Sequence, residues 1–360
     1  MSVFRAIMVT REVTMPFLAA LILGMGLLTV SSVATPENIQ KQLVGVALMV
    51  FPIVALWFLG RRRFYQLTMP AYGVSLFLLC LVGLIGVEVN GNRNWFSLPG
   101  LGQFQPLEFG KIALILMLAR YLRDPFKSVR DYIPVAVIAL PMLIITFIGT
   151  GDTGGVMVLT AIVMGMMAVR GVPWRHLLIA VVALGILIPT VVVPRLSDFH
   201  KQRLTVFLNP ESDPRGKGYQ YIQSRIAIGS GGLSGKGYRQ GTQSQGGFVP
   251  ADHTDFIFAP WAEEQGFVGG VLLLLVFVAL FWRMAALGGE CLHGTDRLVI
   301  GGVLSLLGFQ VLENVGAAIG VAPLTGLTLP LFSYGISSLL STATALGVVY
   351  VVHRDRFEDF

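Results

Sequence analysis

Residues 43–60 read LVGVALMVFPIVALWFLG, eighteen positions without a single charge. As a helix such a run is about 27 Å long, close to the hydrocarbon thickness of a bilayer. Nine further runs of the same character lie near 15–35, 69–88, 106–122, 132–149, 153–169, 174–194, 261–287, 297–321 and 330–352; that at 153–169 is short and crowded by its neighbours. The composition agrees, with 54% of the 360 residues hydrophobic and 13% charged. Soluble domains carry about 25% charged residues, and disordered chains need low hydrophobicity with high charge. A membrane β-barrel would show alternating segments of about ten residues. The expected fold is therefore all-α: a polytopic integral membrane protein with about ten transmembrane helices, organised as one membrane domain over 1–360 with a large extracytoplasmic loop at 195–260.

Charge sets the expected orientation. With the N-terminus inside, fifteen of the 26 Lys and Arg residues fall on cytoplasmic segments and two, Lys41 and Arg93, on short outer loops. Lys111 lies within a span and the remaining eight lie in 195–260, a loop long enough to escape the positive-inside rule. Both termini are thus expected in the cytoplasm of a cell whose inner membrane this chain crosses many times. The net charge of +6 is accounted for by these loops, without any nucleic-acid partner. Arg5 and Arg11 before the first apolar run resemble a signal peptide, but the run is long and many spans follow, so it reads as a retained helix. Cys80 and Cys291 suit neither a disulfide nor a metal-ligand spacing.

The segment 195–260 is the one place with room for chemistry in water. It opens basic, with Arg195, His200, Lys201 and Arg203. A short amphipathic helix is expected next, with Tyr219, Ile222 and Ile226 on one face. From Gly229 to Gly247 there are eight glycines in 19 residues, backbone able to approach a ligand closely. The sequence Asp252-His253-Thr254-Asp255-Phe256 then runs straight into the eighth span.

Several ionisable residues stand where charge is costly. Glu108 and Lys111 are three apart and share a helix face. They read either as a structural ion pair or as a held cation that meets an anionic substrate. Asp255 sits at the water–membrane boundary before Phe256-Ile257-Phe258. Lost hydration there favours proton acceptance near neutral pH; the plainer reading is an N-cap for the eighth span. Asp252 reads as solvated, and His253 as an assistant to Asp255 or an ordinary polar contact. Arg203, Arg215, Lys217, Arg225, Lys236 and Arg239 make the loop basic, suited to phosphate groups or to anionic headgroups of membrane lipids. Asp152 either caps the sixth helix or lines a cavity. Glu263 and Glu264 suit the dipole of a first helical turn, and Glu313 and Asn314 suit bonds between helices. Ser230-Gly231-Gly232-Leu233-Ser234-Gly235-Lys236-Gly237 lacks the residues of a phosphate-binding Walker loop.

Five segments, in order, resemble the SEDS family of bacterial cell-wall proteins. These are Gly91-Asn92-Arg93-Asn94-Trp95-Phe96 with Gln105-Pro106-Leu107-Glu108-Phe109-Gly110-Lys111; Arg203 through Phe207-Leu208-Asn209-Pro210; Gly218-Tyr219-Gln220 through Phe248-Val249-Pro250 to Ala259; Glu263-Glu264-Gln265-Gly266-Phe267; and Pro323-Leu324-Thr325-Gly326 to Ser333-Tyr334-Gly335. Asn94, Leu107, Ala251 and Ile336 depart from the usual Arg, Ser, Glu and Gly, and the turn around Asp152 matches the family's pattern only at that aspartate.

The resemblance implies a peptidoglycan glycosyltransferase. Such a protein polymerises lipid II into a nascent glycan outside the cytoplasmic membrane, forming a β-1,4 bond with inversion at the donor sugar and releasing undecaprenyl pyrophosphate. By that likeness Asp255 is the essential carboxylate, expected to deprotonate the acceptor hydroxyl. Lys111 and Arg203 are the expected pyrophosphate ligands, with Glu108, Asp152, His253 and Lys236 completing the substrate-binding set. The likeness also implies a divalent cation, Mg²⁺ or Mn²⁺, at a site the sequence does not mark, and a class B penicillin-binding protein as partner. The short tails favour the elongation branch over the division branch. A lipid II flippase is the leading alternative; a scaffold and an O-antigen ligase explain fewer of the residues.

Overall fold

The computed structural model describes residues 2–89, 92–98, 102–122, 126, 128–187, 190, 201 and 205–357. Among them, seven helices are long and apolar enough to cross a membrane: Val13–Val33, Pro36–Gln66, Thr68–Ile85, Arg130–Gly149, Phe258–Glu290, Gly294–Ile319 and Ile336–Arg354. Helices Pro106–Tyr121, Thr153–Val169 and Trp174–Leu187 stand where the other three spans are expected. Large apolar side chains such as Phe58, Phe77, Ile148 and Trp282 lie on the surface. That is the pattern of a multi-pass membrane protein, whose spans meet hydrocarbon rather than water.

The chain groups into two compact units. The first comprises 1–44, 206–287 and 310–335. Here a helix Lys217–Ser230 forms as expected, but its buried face is Gly218, Tyr221, Ser224 and Ala227; Ile226 is exposed. Small residues decide the face: Ser224 Oγ reaches the Ala318 carbonyl at 2.8 Å, and the Tyr221 hydroxyl accepts the Leu324 N–H. The first helix packs through Gly26, where a β-carbon would lie 2.6 Å from the Phe332 backbone.

The eighth span begins at Phe258, earlier than expected, and breaks at Gly266 (φ +69°). A broken helix leaves backbone groups without partners. The glycine-rich loop supplies them. The Glu263 and Glu264 carbonyls accept Lys236 N–H (3.0 Å) and Gly237 N–H (2.9 Å). Phe267 and Val268 N–H donate to the Gly232 and Leu233 carbonyls at 2.9 and 3.1 Å. The backbones touch so closely that a β-carbon on Gly266 would lie 2.2 Å from Gly235 N, and one on Gly235 2.1 Å from the Glu264 carbonyl oxygen.

The second unit comprises 45–205, 288–309 and 336–360. Helix Thr68–Ile85 ends short of the expected 88, and the stretch between it and the next span, expected as loop, holds a three-stranded antiparallel sheet: Val87–Val89, Asn92–Leu98 and Gly102–Phe104, with Phe96 opposite Phe104 and Val87 opposite Trp95. Ser337 anchors its end, donating to the Gln103 carbonyl (2.9 Å) and accepting from Gln105 N–H (3.3 Å). Helix Pro106–Tyr121 follows at once, with proline at its first position, where no amide hydrogen is needed. At the other end of this unit Arg61 and Asp296, both buried, pair at 2.6 Å. Gly60 (φ +70°) breaks the second long helix there, and Asp355 caps the new start by accepting Arg61 N–H at 3.0 Å. Burial works against the Asp355 carboxylate, but hydrogen bonds from the Arg354 guanidinium and the Arg61 backbone outweigh it and hold its pKa below the usual value.

Candidate active site

Asp255 lies in the first unit, half-buried at the end of the turn before Phe256, which is itself buried. Its main chain is tied on three sides. Asn314 Nδ2 donates to the Asp255 carbonyl at 2.9 Å and to the Leu327 carbonyl at 2.8 Å. Ser333 Oγ donates to the Thr254 carbonyl at 2.7 Å, and Tyr334 N–H to the His253 carbonyl at 2.9 Å. Ser333 and Tyr334 belong to one of the segments singled out in sequence, and Asn314 stands in the ninth span. Gly326 (φ +80°) faces the carboxylate: a β-carbon there would lie 3.8 Å from Asp255 Oδ2. Neighbouring Glu313, buried, accepts the Thr325 N–H at 3.1 Å and also the Thr325 hydroxyl.

His253 Nδ1 pairs with Asp252 Oδ1 at 2.9 Å, and its ring stands edge-on to Tyr334 at 5.5 Å. Asp252 is therefore engaged rather than simply solvated. Burial pushes the Tyr334 hydroxyl pKa up, so that group keeps its proton.

Lys236 is held inside the loop. Its ammonium reaches Ser230 Oγ (2.6 Å), Thr242 Oγ1 (2.7 Å) and Glu263 Oε1 (2.7 Å), one bond for each of its three hydrogens. Glu263 is fully buried and also accepts from Gln243 N–H, Ser244 N–H (both 2.9 Å) and Ser244 Oγ (2.5 Å). Glu264 accepts from the Ser32 hydroxyl and Arg239 N–H. The two glutamates thus anchor the glycine-rich loop, a role that goes beyond the helix dipole. Sequence reading missed it because the donors, backbone amides and loop side chains alike, are brought to the carboxylates by the loop's path.

In the second unit Lys111 and Glu108 are both buried and pair at 2.6 Å; Glu108 Oε2 also accepts Ser341 Oγ at 2.6 Å. Among the described residues the Lys111 ammonium makes this one hydrogen bond. Asp152 caps helix Thr153–Val169 by accepting Gly155 N–H at 2.7 Å, the plainer of its two readings, and Gln105 Nε2 approaches it at 3.3 Å. A π-helical turn, Ile145–Gly149, precedes it. Lys111, Glu108 and Asp152 therefore belong to one unit, and Asp255, His253 and Lys236 to the other. Arg203 lies outside the described residues. Among the described residues no group of three or more His, Cys, Asp or Glu side chains is placed to hold a metal ion.

Comparison with known proteins adds independent findings. The family model described as cell cycle protein, covering FtsW, RodA and SpoVE, matches residues 11–358. The peptidoglycan glycosyltransferase MrdB of Escherichia coli (strain K12) is 37% identical over 289 residues, 78% of this chain and 77% of that protein. Stage V sporulation protein E of Bacillus subtilis (strain 168) is 40% identical over 293 residues, with the same shares covered. Among solved structures, a chain from a peptidoglycan synthase complex that coordinates polymerization and crosslinking is 44% identical, with TM-score 0.84, covering 96% of this chain and 98% of that one. The rod shape determining protein RodA of Thermus thermophilus is 39% identical, with TM-score 0.74, covering 96% and 97%.

Proposed function

The chain belongs to the FtsW, RodA and SpoVE family, the SEDS proteins, and from that premise we infer that it is a membrane peptidoglycan glycosyltransferase. Its reaction is the polymerisation of lipid II into glycan strands. The observation that carries the catalytic assignment is the three-sided clamp on the main chain at 253–255, which fixes Asp255 while a bare glycine faces its carboxylate. In this reading the carboxylate takes the proton of the acceptor 4-hydroxyl. The oxygen's electron pair forms the new bond to the donor anomeric carbon from the face opposite the leaving group. The bond to pyrophosphate breaks, undecaprenyl pyrophosphate departs, and the proton on Asp255 passes to water. Proton acceptance of this kind contributes about 10²–10⁴-fold.

Leaving-group charge is a separate demand. Lys111 is the candidate for it in the second unit, its cation held by Glu108, whose other oxygen accepts the Ser341 hydroxyl. Arg203 is the second candidate. Asp152, with Gln105, and His253, with Asp252, are proposed to shape the substrate's surroundings; Lys236 is proposed to act by holding the loop. A divalent cation, Mg²⁺ or Mn²⁺, would supply charge neutralisation on phosphate oxygens when bound. The described residues offer no cage for it, so phosphates and water would be its main ligands, the usual arrangement for Mg²⁺. Chelation by EDTA is expected to lower the polymerisation rate, with recovery on adding Mg²⁺ or Mn²⁺; an unchanged rate in EDTA contradicts the cation's involvement.

The site is proposed to face the extracytoplasmic side, with both termini in the cytoplasm, and the peptide crosslinks to come from a class B penicillin-binding protein during elongation. Labelled lipid II in detergent, given to the purified protein with that partner, separates the two classes of function. No membrane is there to cross, so a polymerase gives glycan ladders and a flippase leaves lipid II unchanged.

A further inference from the structure

We propose that Asn314 is a positioning residue for the reaction, holding Asp255 and the loop opposite it at a fixed separation. The inference rests on Asp255 being the base. Asn314 is 1% exposed, and both hydrogens of its amide are used, one on the Asp255 carbonyl and one on the Leu327 carbonyl. Its Oδ1 is buried with no hydrogen-bond partner among the described residues. The reverse orientation would set that oxygen against two carbonyl oxygens, so the neighbours fix which way the amide points. A leucine of similar shape would fill the same space without an orphaned acceptor. What the asparagine adds is therefore the tie itself. That tie joins the carboxylate's own residue to Leu327, one position after Gly326, whose backbone walls the carboxylate. Asn314 thus sets the width of the gap in which an acceptor hydroxyl must fit, without touching the substrate. Displacing a catalytic group by about 1 Å can cost roughly a hundredfold in rate.

The test uses the full chain with its transpeptidase partner and labelled lipid II, comparing wild type with Asn314→Leu and Asn314→Asp. Initial rates are normalised to folded protein, and melting temperatures are read alongside. The expected result is a kcat lower by about 10–100-fold in both variants, with KM for lipid II within about threefold of wild type. A merely structural role would lower yield and melting temperature but leave kcat per folded molecule unchanged, which overturns the proposal, as does a loss carried wholly by KM. Asn314→Ser, smaller and still a donor, covers the case in which leucine or aspartate does not fold. It can reach only one of the two carbonyls and should show an intermediate kcat; wild-type kcat in it is equally contradictory. Asp255→Ala is measured in parallel. If that variant polymerises normally, the base assignment itself fails; if it is inactive while the Asn314 variants are not impaired, only the positioning role fails.

Discussion

At the residue scale, the proposed chemistry rests on charged side chains, of which Lys111 and Glu108 pair with one another. Breaking a buried ion pair by removing one member costs about 3–5 kcal/mol, because a charge is left without compensation. Lys111→Met should therefore lower the thermal stability of the purified protein, and Glu108→Gln should do so less, since an amide still accepts from Ser341. If Lys111 also meets pyrophosphate, the methionine variant raises KM for lipid II as well; unchanged stability and unchanged KM together would contradict both roles. A second prediction concerns Cys291, which is buried. Burial, aided by the Asp296 charge, pushes its thiol up to about 11. The thiolate is the reactive form, so a maleimide at pH 7.5 should leave Cys291 unmodified in the folded protein and react after denaturation; rapid labelling of the native state argues against this burial. Charged residues such as Glu108, Lys111 and Asp255 were legible in sequence because charge inside an apolar run needs a reason. The role of Asn314 was not, because a neutral amide shows its purpose only through carbonyls 59 and 13 positions away.

At the element scale, the break at Gly266 and the loop 229–247 are one construction. The helix opens at the glycine, and the loop closes onto its freed carbonyls and amides. Gly266→Ala combines a left-handed φ with a contact no β-carbon can make, so its cost should exceed the roughly 1 kcal/mol of an ordinary glycine substitution. The observable is limited proteolysis: new cleavage within 229–247 is expected, and an unaltered pattern would contradict the interlock. Spans were legible here because apolar length is a strong signal. The packed face of Lys217–Ser230 was not, since Gly218, Ser224 and Ala227 bury by fitting closely rather than by being hydrophobic. The sheet at 87–104 had a signal that went unread, Asn90-Gly91 between β-prone runs.

For the whole molecule, the described residues place helices at all ten expected spans, and a family match over 11–358 agrees on the same class of protein. The sequence could place its charges along the chain, but not say which of them share a compact unit, because that depends on helices far apart in sequence. Lys111 with Glu108 belongs to one unit and Asp255 to the other. The central claim is that one carboxylate, fixed by its own main chain, accepts the proton of a sugar hydroxyl. Its most direct test is polymerisation of labelled lipid II by the purified protein and its partner, with wild type beside Asp255→Ala at equal folded concentration. The account predicts ladders from the wild type and a rate lower by at least about 10²-fold in the variant; ladders of ordinary length and rate from Asp255→Ala would contradict it.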